Sequence, residues 1–197
     1  MSSKFSLKSK PTVLKSQLKV QLDYVNASRE CRSKMADEIL SDPMLFRPLL
    51  EIALETHSDV GSRACWIVEF AFKKNPEILY PHLDYFTHGL GDLKEESSIR
   101  PMAKICELLT LSHYTGAQST GALLSPQHRE RITAACFDWL ISAEKVAPKA
   151  YSMQTLALLG RDIEWIHPEL KAVLEQGYAS GSAGYKARAR RILKNLR

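Results

Sequence analysis

At 197 residues, with 45% apolar and 25% charged, the chain is sized and composed for one soluble globular domain with a substantial core, and two full domains are not expected. No apolar run approaches the roughly 20 residues of a membrane span, and the N-terminal MSSKFSLKSKPTVLKS lacks the apolar stretch of a secretory signal. The net charge of +5 is unevenly held: residues 1–20 carry five Lys and residues 183–197 six bases, with no acid in either, so the body keeps 16 of the 27 bases against all 22 acids. An acidic body argues against a continuous track for nucleic-acid phosphates, which needs clustered Lys and Arg.

Residues 1–11 are polar and Lys/Ser-rich, and read as a disordered tail. From Thr12, the spacing of Leu14, Leu18, Leu22 and Val25 predicts a first amphipathic helix. Asn26 or Ser28 restarts the chain, and Cys31, Met35, Ile39 and Leu40 carry a second helical stripe to Ser41. Asp42-Pro43 then opens a helix over PMLFRPLLEIAL. In residues 59–83, DVGSRACWIVEFAFKKNPEILYPHL, Ser58 or Asp59 can cap a helix whose Val60, Ala64, Ile67, Val68 and Ala71 form one apolar stripe. Lys73 and Lys74 suit its negative end, and Asn75-Pro76 stops it and starts the next.

Internal repetition follows. Pro43-Met-Leu-Phe-Arg-Pro48-Leu-Leu50 and Pro76-Glu-Ile-Leu-Tyr-Pro81-His-Leu83 share one pattern at a spacing of 33. Val60, Ile99 and Val146 each stand four residues before an alanine (Ala64, Ala103, Ala150), with Phe70, Leu109 or Leu156 six residues beyond it, and Ala187 joins this series loosely. A small residue there lets neighbouring helices approach closely. Second helices are expected at Asp42-Pro43, Asn75-Pro76, Ser125-Pro126 and His167-Pro168, and no segment alternates as a strand does. Helix pairs repeating at such periods, and Asp-x-x-x-Arg-Ala followed by Asn-Pro-Glu-x-Leu-x-Pro-x-Leu in residues 59–83, resemble the HEAT/armadillo α-solenoids. The resemblance implies an all-α fold, a right-handed α-α superhelix of about ten helices over residues 12–197, with second helices lining a concave face. The chain is also similar to short bacterial helical chains called adenylosuccinate lyases, but that superfamily's Gly-Ser-Ser-x-Met-Pro-x-Lys-x-Asn loop is missing, so the likeness implies no lyase activity.

Few residues announce chemistry. The six His fall in no HExxH arrangement, no Walker A, GxSxG or GxGxxG is present, and the four Cys lack a CxxC pair. We therefore expect no metal, no cofactor and no catalytic residue, with Cys31, Cys65, Cys106 and Cys136 as core thiols of a reducing bacterial cytoplasm. Residues 180–186, Ser-Gly-Ser-Ala-Gly-Tyr-Lys, read as a linker whose Ser182 caps the last helix, or as a cradle for an anion at a helix start. Trp66, Trp139 and Trp165 sit in helical apolar contexts and are expected in the core; the alternative is a groove similar to that of the DNA-alkylation-repair glycosylases, built from comparable repeats. Residues 112–125, SHYTGAQSTGALLS, form either a tolerated surface insertion or a partner-binding loop.

The last helix, YKARARRILKNLR, turns Ala189, Ile192, Leu193 and Leu196 toward one face and offers Lys186, Arg188, Arg190, Arg191 and Lys194 as candidate binding residues. These bases either seal the end of the stack as a solvated face or contact RNA, DNA or an acidic protein. The function expected is a non-catalytic interaction module, engaging a protein partner by its concave face or the 112–125 loop. Nucleic-acid binding through the basic ends is the alternative, and no membrane partner is expected.

Overall fold

The computed structural model describes residues 9–55, 58–115, 123–142 and 145–196. Ten α-helices and three short 3-10 segments supply their regular structure, and no strand occurs among them. The protein is all-α. Its contacts gather into two compact units, residues 1–82 and 83–197.

The first unit contains α1 (Ser9–Asp23), α2 (Arg29–Ser41), α3 (Phe46–Ala53) and α4 (Asp59–Lys74). The expected stripe is buried at Leu18 and Leu22 of α1 and at Val25, two residues past its end. Ser28 caps α2 by accepting from the Cys31 N–H at 3.2 Å, and the Asn26 side chain in turn accepts from the Ser28 N–H at 2.9 Å. Helix α4 packs on both α2 and α3, while α1 packs on α3 and α4. Ala64, Ile67, Val68 and Ala71 of α4 are fully buried, but Val60 is only half-buried. Close approach of α4 to the end of α3 depends on Gly61, where a Cβ would stand 2.9 Å from the Glu55 carbonyl oxygen. Two cations of α4 tie the unit together. Arg63 donates to the Asp23 carbonyl at 2.7 Å, and to its carboxylate at 2.8 Å, so it satisfies the open end of α1. Lys74 reaches the Ser33 carbonyl at 3.1 Å and the Asp37 carboxylate at 2.7 Å, on α2.

The repeated proline motif does not open α-helices as expected. Pro43–Leu45 and Pro76–His82 are 3-10 segments, capped by the side chains of Asp42 and Asn75. The second proline explains the difference between the two copies. Pro48 falls in the first turn of α3, where a missing N–H costs nothing. Pro81 lies inside the 3-10 segment instead, and only the six residues of α5 (Leu83–His88) become α-helical.

The second unit continues from α5 through a 3-10 turn, Leu90–Asp92, to α6 (Glu96–Thr115), α7 (Pro126–Ile141), α8 (Val146–Leu159), α9 (Ile166–Tyr178) and α10 (Ala183–Leu193). Helix α8 touches α6, α7, α9 and α10, and it is buried around most of its circumference: Pro148, Ser152, Met153, Thr155, Leu156, Leu158 and Leu159. A helix apolar on nearly all sides belongs at the centre. Within the units the even-numbered helices follow one another, α2 on α4 and α6 on α8 on α10, while α3, α7 and α9 each pack on the even helix that follows. Ala64 and Ala103 are fully buried, Ala150 is half-buried, and Ala187 is exposed; in α10 it is Ala189 that faces the core.

Candidate functional site

Helix α10 begins at Ser182, whose hydroxyl accepts from the Tyr185 N–H at 3.3 Å. The preceding glycines make room for the Tyr185 ring: a Cβ at Gly181 would come within 2.5 Å of its Cδ1, and one at Gly177 within 2.5 Å of its hydroxyl. The buried tyrosine thus accounts for Gly181 without an anion, and at Gly184 a Cβ would stand 3.0 Å from Val146 Cγ1. Burial raises the Tyr185 phenol above its ordinary range.

The five candidate bases, four in α10 and Lys194 at its C-cap, do not share one face. Lys186, Arg190 and Lys194 recur every fourth residue and line up on successive turns. Arg190 is steadied by the Tyr178 hydroxyl, 3.2 Å from both Nε and Nη2. Arg191 is exposed on the next face around the helix. Arg188 turns inward, with Nη1 3.9 Å from the Glu107 carboxylate of α6. Glu107 is buried and also takes Lys104 Nζ at 2.5 Å, and Lys104 lies 4.7 Å from the centre of the Tyr151 ring. At the other end of the chain, Lys15 and Lys19 pair with Glu55 at 2.9 and 2.7 Å. Burial would raise the Glu55 carboxyl, but the two lysines outweigh it and hold it below its ordinary range. The bases at 4, 8 and 197 lie outside the described residues.

The 112–125 stretch begins as helix, because α6 runs on to Thr115, and residues 116–122 lie outside the described part. Its far end is fastened by two histidines. The Leu124 N–H donates to His113 Nδ1 and the Ser125 N–H to His128 Nδ1, each at 3.3 Å. Ser125 returns the bond by accepting from the His128 N–H at 3.2 Å, closing a capping box at the start of α7. With Nδ1 an acceptor, His128 presents Nε2–H to Asp84, at 3.0 Å. Both of its nitrogens are therefore engaged. Burial and the nearby Arg129 lower the His113 pKa, with Asp162 opposing them. Next to it, Tyr114 donates to Asp162 at 2.9 Å, and Arg129 reaches the same carboxylate oxygen at 3.0 Å. Burial and the Asp162 charge push the Tyr114 phenol up to about 12.

The three tryptophans part company. Trp139 is in the core, and Trp66 is half-buried beneath the Arg32 guanidinium, 4.1 Å from its ring centre. Trp165, expected in the core, is 56% exposed. The buried stripe of α9 is Ile166, Leu170 and Leu174, and Trp165 lies one residue before it, about 100° around the axis. Its ring stacks on Phe137 of α7, centres 5.7 Å apart and planes 21° apart. One turn beyond Phe137, Ile141 is 66% exposed and stands at the rim of a cleft of about 690 Å³ shared with Val146, Lys149 and Val173.

Cys65, Cys106 and Cys136 are buried and unbridged, and Cys31 is half-buried. Burial and the neighbouring Cys136 push the Cys106 thiol well up, and Cys65 donates to the Ala53 carbonyl at 3.1 Å. Among the described residues no three His, Cys, Asp or Glu side chains converge as a metal site would require, and no helix is long and apolar enough to cross a membrane.

What the fold defines, then, is an all-helical protein with a basic terminal helix and an exposed Trp165 stacked on a half-buried Phe137. No protein-family model, curated protein or solved structure matches the chain.

Proposed function

We propose that the chain is a non-catalytic, HEAT-like binding module of the bacterial cytoplasm, which engages a protein partner through the second-helix surface formed by α7 and the start of α9. The observation that carries this reading is the Phe137–Trp165 stack, with Ile141 beside it. Large apolar side chains held in solvent are the usual anchors of protein interfaces, where aromatics supply area at small entropic cost. Succession of α6, α8 and α10 as one layer supports the repeat reading, since each layer buries the face its neighbour leaves bare. Site-specific photo-crosslinking in cells tests it. A crosslinker at position 165 is expected to give a discrete adduct that is absent from position 171 on the opposite side of α9 and lost in Phe137→Ala. Indistinguishable patterns from 165 and 171 would count against it.

The row of Lys186, Arg190 and Lys194 favours a second reading, in which α10 lies along a nucleic-acid backbone. Neutralising Arg190 and Lys194 should then abolish retardation of duplex or single-stranded probes, and the wild-type affinity should fall steeply with salt. No retardation at low salt would remove this reading.

A further inference from the structure

We propose that the cleft between the second half of α8, the start of α9 and the end of α10 binds a small organic anion, a phosphate ester or a carboxylate, gripped by Arg161 and Arg191. The cleft measures about 880 Å³, in the range that small-molecule sites occupy, roughly 300–1,000 Å³. Leu158 and Ile192 contribute apolar floor, and Gln154 and Asn195 contribute amides, so both parts of an amphipathic metabolite find matching surface.

Three features mark the cleft as built. First, its wall is propped by His167, which donates through Nε2 to the Ala157 carbonyl at 3.0 Å and lies so close over Gly160 that a Cβ there would overlap the ring. Second, Arg161 is set in place: its guanidinium lies 5.6 Å from the centre of the Tyr114 ring, whose hydroxyl donates to Asp162, itself held by Arg129. Third, these two arginines are left without an acid. In the same unit Arg129 is paired with Asp162, Arg131 with Asp84 and Arg188 with Glu107, and Arg190 is held by the Tyr178 hydroxyl, whereas among the described residues no carboxylate stands within 4.0 Å of Arg161 or Arg191. Glu164 is the one acid in the lining, which leaves the cleft net positive by a single charge. A guanidinium has five donors in a planar fork, and an oxyanion satisfies it bidentately.

The site takes a small molecule and adjoins the surface proposed for a protein partner, since Glu164 lines the cleft beside Trp165; the titration uses the chain alone, so its outcome does not depend on that partner. Isothermal titration of the full chain with inorganic phosphate, a nucleoside 5′-monophosphate and an aliphatic dicarboxylate tests it, with the unphosphorylated nucleoside as neutral control. We expect at least one anion to saturate at about one per chain, and the neutral control not to bind. Arg161→Gln or Arg191→Gln should weaken binding about tenfold or more with an unchanged melting temperature, and Glu164→Gln should tighten it. The arm that saturates distinguishes the phosphate ester from the carboxylate. Absence of saturable binding in all three anion arms, or affinity that survives both arginine substitutions, would overturn the proposal.

Discussion

Arg188 offers the sharpest separation of structural from binding roles in the basic helix. Its guanidinium lies 3.9 Å from Glu107, and the side chains are 28% and 10% exposed. At that distance, with the effective dielectric of about 20 that suits partly buried pairs, the gross attraction is about 4 kcal/mol. Desolvation and the competing Lys104, closer to the same carboxylate, reduce the net loss in Arg188→Ala to about 1–2 kcal/mol. For a chain of this length that is about 3–6 °C in melting temperature. Urea unfolding followed by far-ultraviolet dichroism measures it, in wild type and in Glu107→Gln. With Glu107 neutral, the same Arg188→Ala change should cost under about 0.5 kcal/mol, giving a coupling of about 1 kcal/mol. Equal losses in both backgrounds, or no loss in either, would refute the inward role of Arg188.

Further outcomes follow from other parts of the fold. His113 accepts the Leu124 N–H only when neutral, and its pKa is lowered by burial and Arg129, so the folded chain binds fewer protons there than the unfolded one. Its share of stability is complete above about pH 6.5 and fades as pH falls through the lowered folded value; in a histidine-resolved NMR titration the Leu124 amide should move with His113, and a midpoint at or above 6.5 would contradict this. Gly160→Ala should cost about 1–3 kcal/mol, because the new methyl overlaps His167, and His167→Ala should restore most of it in urea titrations. Ser152 is fully buried, and its hydroxyl has no hydrogen-bond partner among the described residues, so Ser152→Ala should leave the unfolding midpoint nearly unchanged or raise it. A loss above about 1 kcal/mol there would show that the hydroxyl is satisfied after all.

Local periodicity made the helices legible. Leu18 and Leu22, Met35 and Ile39, and Ile67 and Ala71 recur at the step that one face of a helix requires, and each of them is buried. The caps at Ser125 and Ser182 were equally readable, and those at Ser28 and Ser58 narrowed to one of two residues each, because a hydroxyl three residues before a helical N–H acts within one turn. The prolines showed where the chain reverses, but not that 3-10 turns would do it. That depends on how far the second proline falls from the next helix start.

Other features answer only to packing. One residue turns a helical side chain by about 100°, so where neighbouring helices press on α9 and α10 decides that Trp165 reaches solvent, and that Ala189 is buried in place of Ala187. Alanine gives no warning, since it suits exposed and buried helix faces alike. Glu107 and Arg188 stand 81 positions apart, Asp84 and His128 44, and neither member of a pair carries a local sign of the other. The sequence by itself determined which segments coil, because that choice rests on bonds between residues three or four apart, while the 3-10 turns at Pro43 and Pro76 and the run of α6 to Thr115 were not legible in it. Which charges meet, which aromatics stay wet and which arginines are left facing a cleft were decided by the tertiary structure alone, since each depends on the rotation of one helix against another.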